Sequence, residues 1–388
     1  MNRPELQRST FLDLARPELG EEEIAEVVDT LRSGWLVGGP KVSAFETALE
    51  QRLAPARVRC LSSATAGLLL GLRLAGVGPG DEVLVPTLTF AACPNVIEQL
   101  GATPVFVDSE PGTGLLDLDA TEARLGPRTK AILPVHLGGR PVDVDRLGEL
   151  RDARGVAVVE DAAHAMGAEW GGRPLGTHGN PTAFSFHATK TMTTVEGGAL
   201  AIPEPALAER VERLRLQGLS RSAWSRHASA GPADYDLEEP GFKFAMTDVA
   251  AAIGIHQLAK LDGFVARREE LAQRYDELLE DLPLELEPPA AAGARHARHL
   301  YAVRVAPDAR ADRDEVVAEL SERQIGTSIH FKPIHRFRYY RERYGLGDVD
   351  FPVASDFADR TISLPLHPSM DDDDLMDVAA ALTAALEG

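Results

Sequence analysis

Six short runs rich in apolar residues alternate with stretches of helical spacing between residues 82 and 202, and this alternation restricts the fold more than any other feature of the sequence. The runs are EVLVP (82–86), PVFVD (104–108), KAILPVH (130–136), VAVVED (156–161), AFSFH (183–187) and GALAI (198–202). Strands separated by helices build a mostly parallel sheet covered on both faces, because a parallel connection has to cross over the sheet. The expected class is therefore α/β. Ligands in such sheets sit beyond the carboxyl ends of the strands, and Asp161 ends the fourth run.

Helical patterns flank this core. Residues 21–31 carry Ile24, Val27, Val28 and Leu31 at helical spacing behind an acidic first turn, and residues 43–53 form a second amphipathic segment. Residues 204–217 read as a helix, and residues 218–241, rich in Ser, Gly, Ala and charge, read as a surface excursion near the site. Thr247 is a candidate N-cap for an apolar helix over 247–261, followed by a charged helix over 262–282. A loop-like EPPAAAGARHARH (287–299), a strand LYAVRV (300–305), a helix over 313–323 and a closing helix from Asp371 complete the chain. The expected division is a large domain over 12–255 and a smaller C-terminal α+β domain over 256–388.

Composition narrows the function. With 388 residues, 44% of them apolar, the chain can bury a large core. Its 60 acidic against 40 basic residues give a formal charge of −20, which argues against nucleic acid as a partner. Two cysteines, Cys60 and Cys93, make no disulfide framework, and no zinc-ligand spacing occurs, so no metal is expected. The N-terminus lacks an apolar signal core, and the most apolar helix candidate, residues 65–75, is short and carries Arg73. The expectation is a cytoplasmic protein with no membrane partner.

Two residues suggest a cofactor. Pyridoxal phosphate needs an amine to hold its aldehyde and a carboxylate to keep its pyridine nitrogen protonated. Lys190, just past AFSFH, and Asp161 supply both. Alternatives remain for each: Lys190 as a solvated loop lysine, Asp161 as a helix N-cap. In SSATAGLLL (62–70), small residues precede a helix, so free backbone amides and the Thr65 hydroxyl can bind a phosphate. Ser185 alternates with Phe184 and Phe186 and so faces away from them. Phe90 is either a ring that stacks on the pyridine or a core aromatic, and His164 either meets the phenolic oxygen or is structural.

Taken in order, SSATAGL, GDEVLVPTLTFAACPNVI, GATPVFVD, TKAILPVHLGG, VVEDAAHAMGA, FSFHATKTMTTVEGG, GFKFAMTDVAAAIGIHQL and ISLPLHPSM resemble the sugar-nucleotide aminotransferases of the DegT family over residues 13–370. The resemblance implies the aspartate aminotransferase fold, pyridoxal 5'-phosphate with pyridoxamine 5'-phosphate as its second form, and a homodimer with shared active sites. It implies transfer of an amino group from L-glutamate to a nucleoside-diphosphate keto-sugar, at C4 of a dTDP-4-keto-6-deoxyhexose in antibiotic or cell-surface sugar biosynthesis. Lys190 matches the catalytic lysine bonded to the cofactor, Asp161 the partner of the ring nitrogen and Phe90 the stacking aromatic. His164 falls near the phenolic oxygen, while Ala64, Thr65 and Ser185 match phosphate-binding positions. Lys243 stands where many members carry an asparagine contributed by the other subunit, and Val195 where glycine is common. His330, Trp35, His187 and Arg226 are the substrate-side candidates. A C3 or cyclitol aminotransferase, a sugar dehydratase (against which Lys190 argues) and a non-catalytic protein on the same scaffold are the competing readings.

Overall fold

The structure, a computed structural model, describes residues 8–220 and 235–387. Ten strands belong to the N-terminal part: β1 (Arg57–Leu61), β2 (Glu82–Pro86), β3 (Thr103–Val107), β4 (Thr129–Ile132), β5 (Ala157–Val158), β6 (Glu160–Asp161), β7 (Glu169–Trp170), β8 (Arg173–Pro174), β9 (Thr182–Ser185) and β10 (Gly198–Ile202). β7 and β8 form a small hairpin. The rest make two four-stranded sheets, ordered β3-β2-β4-β5 and β1-β10-β9-β6. β5 and β6 are one run of chain interrupted at Val159, so the two sheets continue into each other and the break carries Asp161 to the sheet's carboxyl edge.

The parallel expectation holds for β2 with β3 and β4, for β4 with β5 and for β6 with β9. β10 departs from it, running antiparallel to both β9 and β1. No helix intervenes between β9 and β10, so the chain turns back on itself, and the return strand is antiparallel by necessity. β1 escaped the sequence reading because its charged Arg57 and Arg59 break up the apolar run.

Alternate residues of β1, β9 and β10 serve opposite faces. Leu61, Ala183, Leu200 and Ile202 join one core cluster, whereas Cys60, Phe184, Phe186 and Ala201 join another. Helix α1 spans Glu21–Ser33, α2 Pro40–Arg52, α3 Ala64–Leu74 and α4 Ala92–Gln99. α3 lies on the first cluster with Leu68, Leu70 and Leu72 fully covered, each side chain contributing about 1.5–3 kcal/mol of burial.

A single helix, Asp248–Leu279, replaces the two segments expected over 247–282, and residue 255 lies inside it. Thr247 caps it by accepting from the Ala250 amide at 3.1 Å. Asp248, fully buried, accepts from the amides of Gly39 at 2.7 Å and Lys41 at 2.8 Å, fixing the start of α2. This helix has the length and hydropathy of a membrane span, yet it packs against α1 and α2.

The packing of α1 is inverted. Its buried residues are Glu23 and Thr30, while Ile24, Val28 and Leu31 face outward, Leu31 at 55% exposure. Glu23 meets Lys260 Nζ at 2.8 Å and Gln257 Nε2 at 2.9 Å on the long helix. Burial pushes the Glu23 carboxyl up, and the bonds from Lys260, Gln257 and the Gly20 amide outweigh it and bring it to about 2.

Beyond the long helix, β11 (Leu284–Glu285), β12 (Tyr301–Val305) and β13 (Thr361–Leu364) form an antiparallel sheet. Helices Arg313–Glu322 and Asp372–Glu387 pack on it around Tyr275, Tyr301, Val303 and Leu382. Leu12 joins this core, its amide bonded to the Gln324 carbonyl at 2.9 Å.

Candidate active site

A cavity of about 500 Å3 opens where the carboxyl ends of β6 and β9, the start of α3 and the segment 328–331 converge. Asp161, Lys190, Ser185, Thr65 and His164 all line it, as do Ala64, Phe90, His187 and His330. Residues read from separate stretches of sequence thus meet on one surface.

The register explains the anion-facing end. Ser185 pairs with Gly198, and Gly198 with Leu61, so the end of β9 lies across the sheet from the turn that starts α3. The close approach requires glycine: a Cβ on Gly198 would stand 2.4 Å from the Ser63 carbonyl carbon and 2.5 Å from the Ala64 nitrogen. Ser63 caps α3 by accepting from the Ala66 amide at 3.1 Å. The amides of Ala64 and Thr65 open the first turn beside the Ser185 hydroxyl, a donor set that suits a phosphate dianion.

Asp161 is buried at 5% exposure and held through both oxygens. Oδ1 accepts from the Ala163 amide at 2.9 Å, the local turn that an N-cap reading anticipates. Oδ2 accepts from the Cys93 thiol at 3.0 Å. The backbone amide of Asp161 donates to Pro134 and its carbonyl accepts from His136, so the end of β6 is pinned on both sides.

Lys190 sits in a turn, its amide donating to the His187 carbonyl at 2.9 Å. Burial pulls its ammonium pKa down to about 8, against the opposing attraction of Asp161. A solvated loop lysine would have no such desolvation. The imidazoles of His164, His299 and His330 line the same cavity. Burial, then Lys190 and His330, hold His164 well below the usual histidine range, and burial followed by Lys190 brings His330 to about 4. His164 Nδ1 accepts from the Gly138 amide at 3.2 Å, which leaves its ring proton on Nε2. The cavity therefore contains an amine that gives up its proton more readily than a solvated lysine, beside His164, His299 and His330, which burial keeps uncharged.

His330 Nδ1 pairs with Ser363 Oγ at 2.8 Å, and His187 Nδ1 with Thr189 Oγ1 at 3.0 Å. Phe90 is 60% exposed, with its ring 5.9 Å from that of Phe331, so it is no core aromatic. Trp35 and Lys243 do not line the cavity of this chain: the Trp35 ring lies over Gly39 with Nε1 bonded to the Val37 carbonyl, and Lys243 is exposed. Arg226 lies outside the described residues. Val195, beside the cavity, adopts φ 71°, the left-handed region that glycine enters freely and a β-branched residue does not.

Sequence reasoning missed Cys93, Thr89, His299 and Phe331. Thr89 lies just before α4 and Cys93 in its first turn, and nothing in the sequence marked Asp161 as the partner of the thiol. His299 carried no signal, because only the fold brings its ring 4.5 Å from that of His164, tilted by 53°.

Residues 17–383 match the model of the DegT/DnrJ/EryC1/StrS aminotransferase family. The chain belongs to this family. It is 43% identical to the spore coat polysaccharide biosynthesis protein SpsC of Bacillus subtilis, over 98% of this chain and 99% of SpsC. A Streptococcus pneumoniae structure named as a sugar aminotransferase, in its PMP form, superposes with a TM-score of 0.90 at 34% identity, covering 97% of this chain and 99% of that one. DesV of S. venezuelae superposes at 0.87 and 34% identity, over 95% of both chains. This family member is a pyridoxal phosphate-dependent sugar aminotransferase, and the cavity's phosphate-facing amides, buried carboxylate and desolvated amine fit that cofactor.

Proposed function

We propose that the chain transfers the amino group of L-glutamate to a nucleoside-diphosphate keto-sugar, at C4 of a dTDP-4-keto-6-deoxyhexose. The observation that carries this reading is the pairing of the desolvated Lys190 with the doubly anchored Asp161 in one cavity. When bound, pyridoxal phosphate supplies an aldehyde for the amino group and a ring that accepts electrons. Asp161 would keep the proton on the ring nitrogen, and Ser185 with the first amides of α3 would bind the phosphate. His164 Nε2 would donate to the phenolic oxygen, and Phe90 would pack against the ring. Lys190 Nζ would hold the aldehyde and carry protons to and from the reacting carbons. His330 and His187 face the sugar.

The active unit in this reading is a homodimer. The outward stripe of Ile24, Val28 and Leu31 continues into exposed Leu36 and Val37, an apolar patch that a second copy would cover. Lys243, exposed and outside its own chain's cavity, would supply a cation to the partner's phosphate.

The test is to add 3-keto and 4-keto nucleotide sugars, as dTDP and UDP forms, to the pyridoxamine form and follow return of the aldehyde absorbance. Recovery with the dTDP-4-keto sugar is expected. Recovery with 3-keto sugars alone would overturn the C4 assignment.

A further inference from the structure

Next to Asp161 stands a short line of donors that the reaction as described does not use. Thr89 Oγ1 donates to Cys93 Sγ at 3.3 Å, and the Cys93 thiol donates to Asp161 Oδ2 at 3.0 Å. All three are buried, Cys93 with no exposure. Thr89 precedes α4 and Cys93 lies in its first turn, from which the thiol reaches the end of β6.

A buried carboxylate needs every donor it can reach. The Ala163 amide restrains Oδ1 from the chain's own turn, and Cys93 alone among the described side chains donates to Oδ2. Burial and the facing carboxylate push the Cys93 thiol pKa well up, so it remains a protonated donor throughout the working pH range.

We propose that Cys93 is a positioning residue: its thiol, oriented by Thr89, fixes the rotation of the Asp161 carboxylate and thereby sets how firmly the cofactor's ring nitrogen keeps its proton. This rests on Asp161 being the group that faces that nitrogen. Removing the thiol frees the carboxylate to rotate and strips one hydrogen bond from a buried charge, an effect of about tenfold on cofactor affinity.

The test compares parent holoenzyme with Cys93→Val, Cys93→Ser, Thr89→Val and Asp161→Asn, using pyridoxal phosphate titrations and the pH midpoint of the bound cofactor's visible absorbance. Cys93→Val is expected to weaken cofactor binding about tenfold, move the midpoint and lower kcat with little change in KM for glutamate. Cys93→Ser restores a donor and is expected to remain within about twofold of the parent. Thr89→Val is expected to move the midpoint in the same direction by less, and a shift in the opposite direction overturns the relay. Should valine disturb folding, Cys93→Ala carries the same expectations. An unchanged midpoint in Cys93→Val, or a serine variant as impaired as the valine one, overturns the proposal. If Asp161→Asn also leaves the absorbance unchanged, the assignment of Asp161 to the ring nitrogen fails; if it alters the absorbance while Cys93→Val does not, only the relay fails.

Discussion

The floor of the cavity and the outer face of α1 are built on opposite principles. On the floor, the polar groups nearest the reaction are answered from within the chain: Asp161 by Ala163 and Cys93, His164 by Gly138, His330 by Ser363. On α1, polar residues are also buried and paired, Glu23 with Lys260 and Glu26 with His256, while the apolar residues are left facing out. A chain that completes its polar contacts but leaves an apolar stripe open has finished one half of a structure. The floor is held by contacts within the chain, whereas the stripe has no cover among the described residues.

Four experiments would test this contrast. The largest effect is expected on the floor: Lys190→Ala should lower kcat by at least about 10^3-fold, because both covalent attachment and proton transfer are lost together. Following the glutamate half-reaction spectrally checks it, and near-parent turnover would remove Lys190 from the mechanism. On the outer face, Ile24→Asp combined with Leu31→Asp should weaken self-association about a hundredfold, from about 3 kcal/mol of lost apolar burial. Sedimentation across a concentration series measures this, and an unchanged distribution would dissociate the stripe from any dimer.

The third effect is on pH. Lys190 binds its proton less well folded, with a pKa of about 8, than at its ordinary value of 10.5. The unfolded chain therefore holds more protons between these values, and the stability of the cofactor-free protein gains from this group as pH rises from about 8 to 10.5. Denaturant midpoints at the two ends of that window should show the gain in the parent and lose this contribution in Lys190→Ala. The smallest effect belongs to Val195. Val195→Gly relieves about 1–2 kcal/mol of left-handed strain and returns part of it as unfolded-chain freedom, so the melting temperature should move by only a few degrees.

Much of the floor was legible because its chemistry is carried by local position. Asp161 and Lys190 lie at or just past strand ends, and Ser185 alternates with two phenylalanines, so period and punctuation were enough to put them near a ligand. His299 and Phe331 were not legible. They reach the cavity from the C-terminal part of the chain, and no spacing encodes a contact across so long a separation. Cys93 was visible as a residue, but its partner lies 68 positions away. The large apolar residues of α1 had helical period, and the period was right; it does not say which neighbour the face meets.

The sequence by itself determined the α/β class, most of the helices and strands, and the pair of charged groups around which a cofactor could be held, because hydrophobic period and residue type act over a few residues. Tertiary structure decided that β10 runs antiparallel, that one helix links the two parts of the chain, that the amine of Lys190 loses its water, and that a thiol stands behind Asp161. Those outcomes depend on desolvation and on contacts between distant segments, and both exist only once the chain has packed.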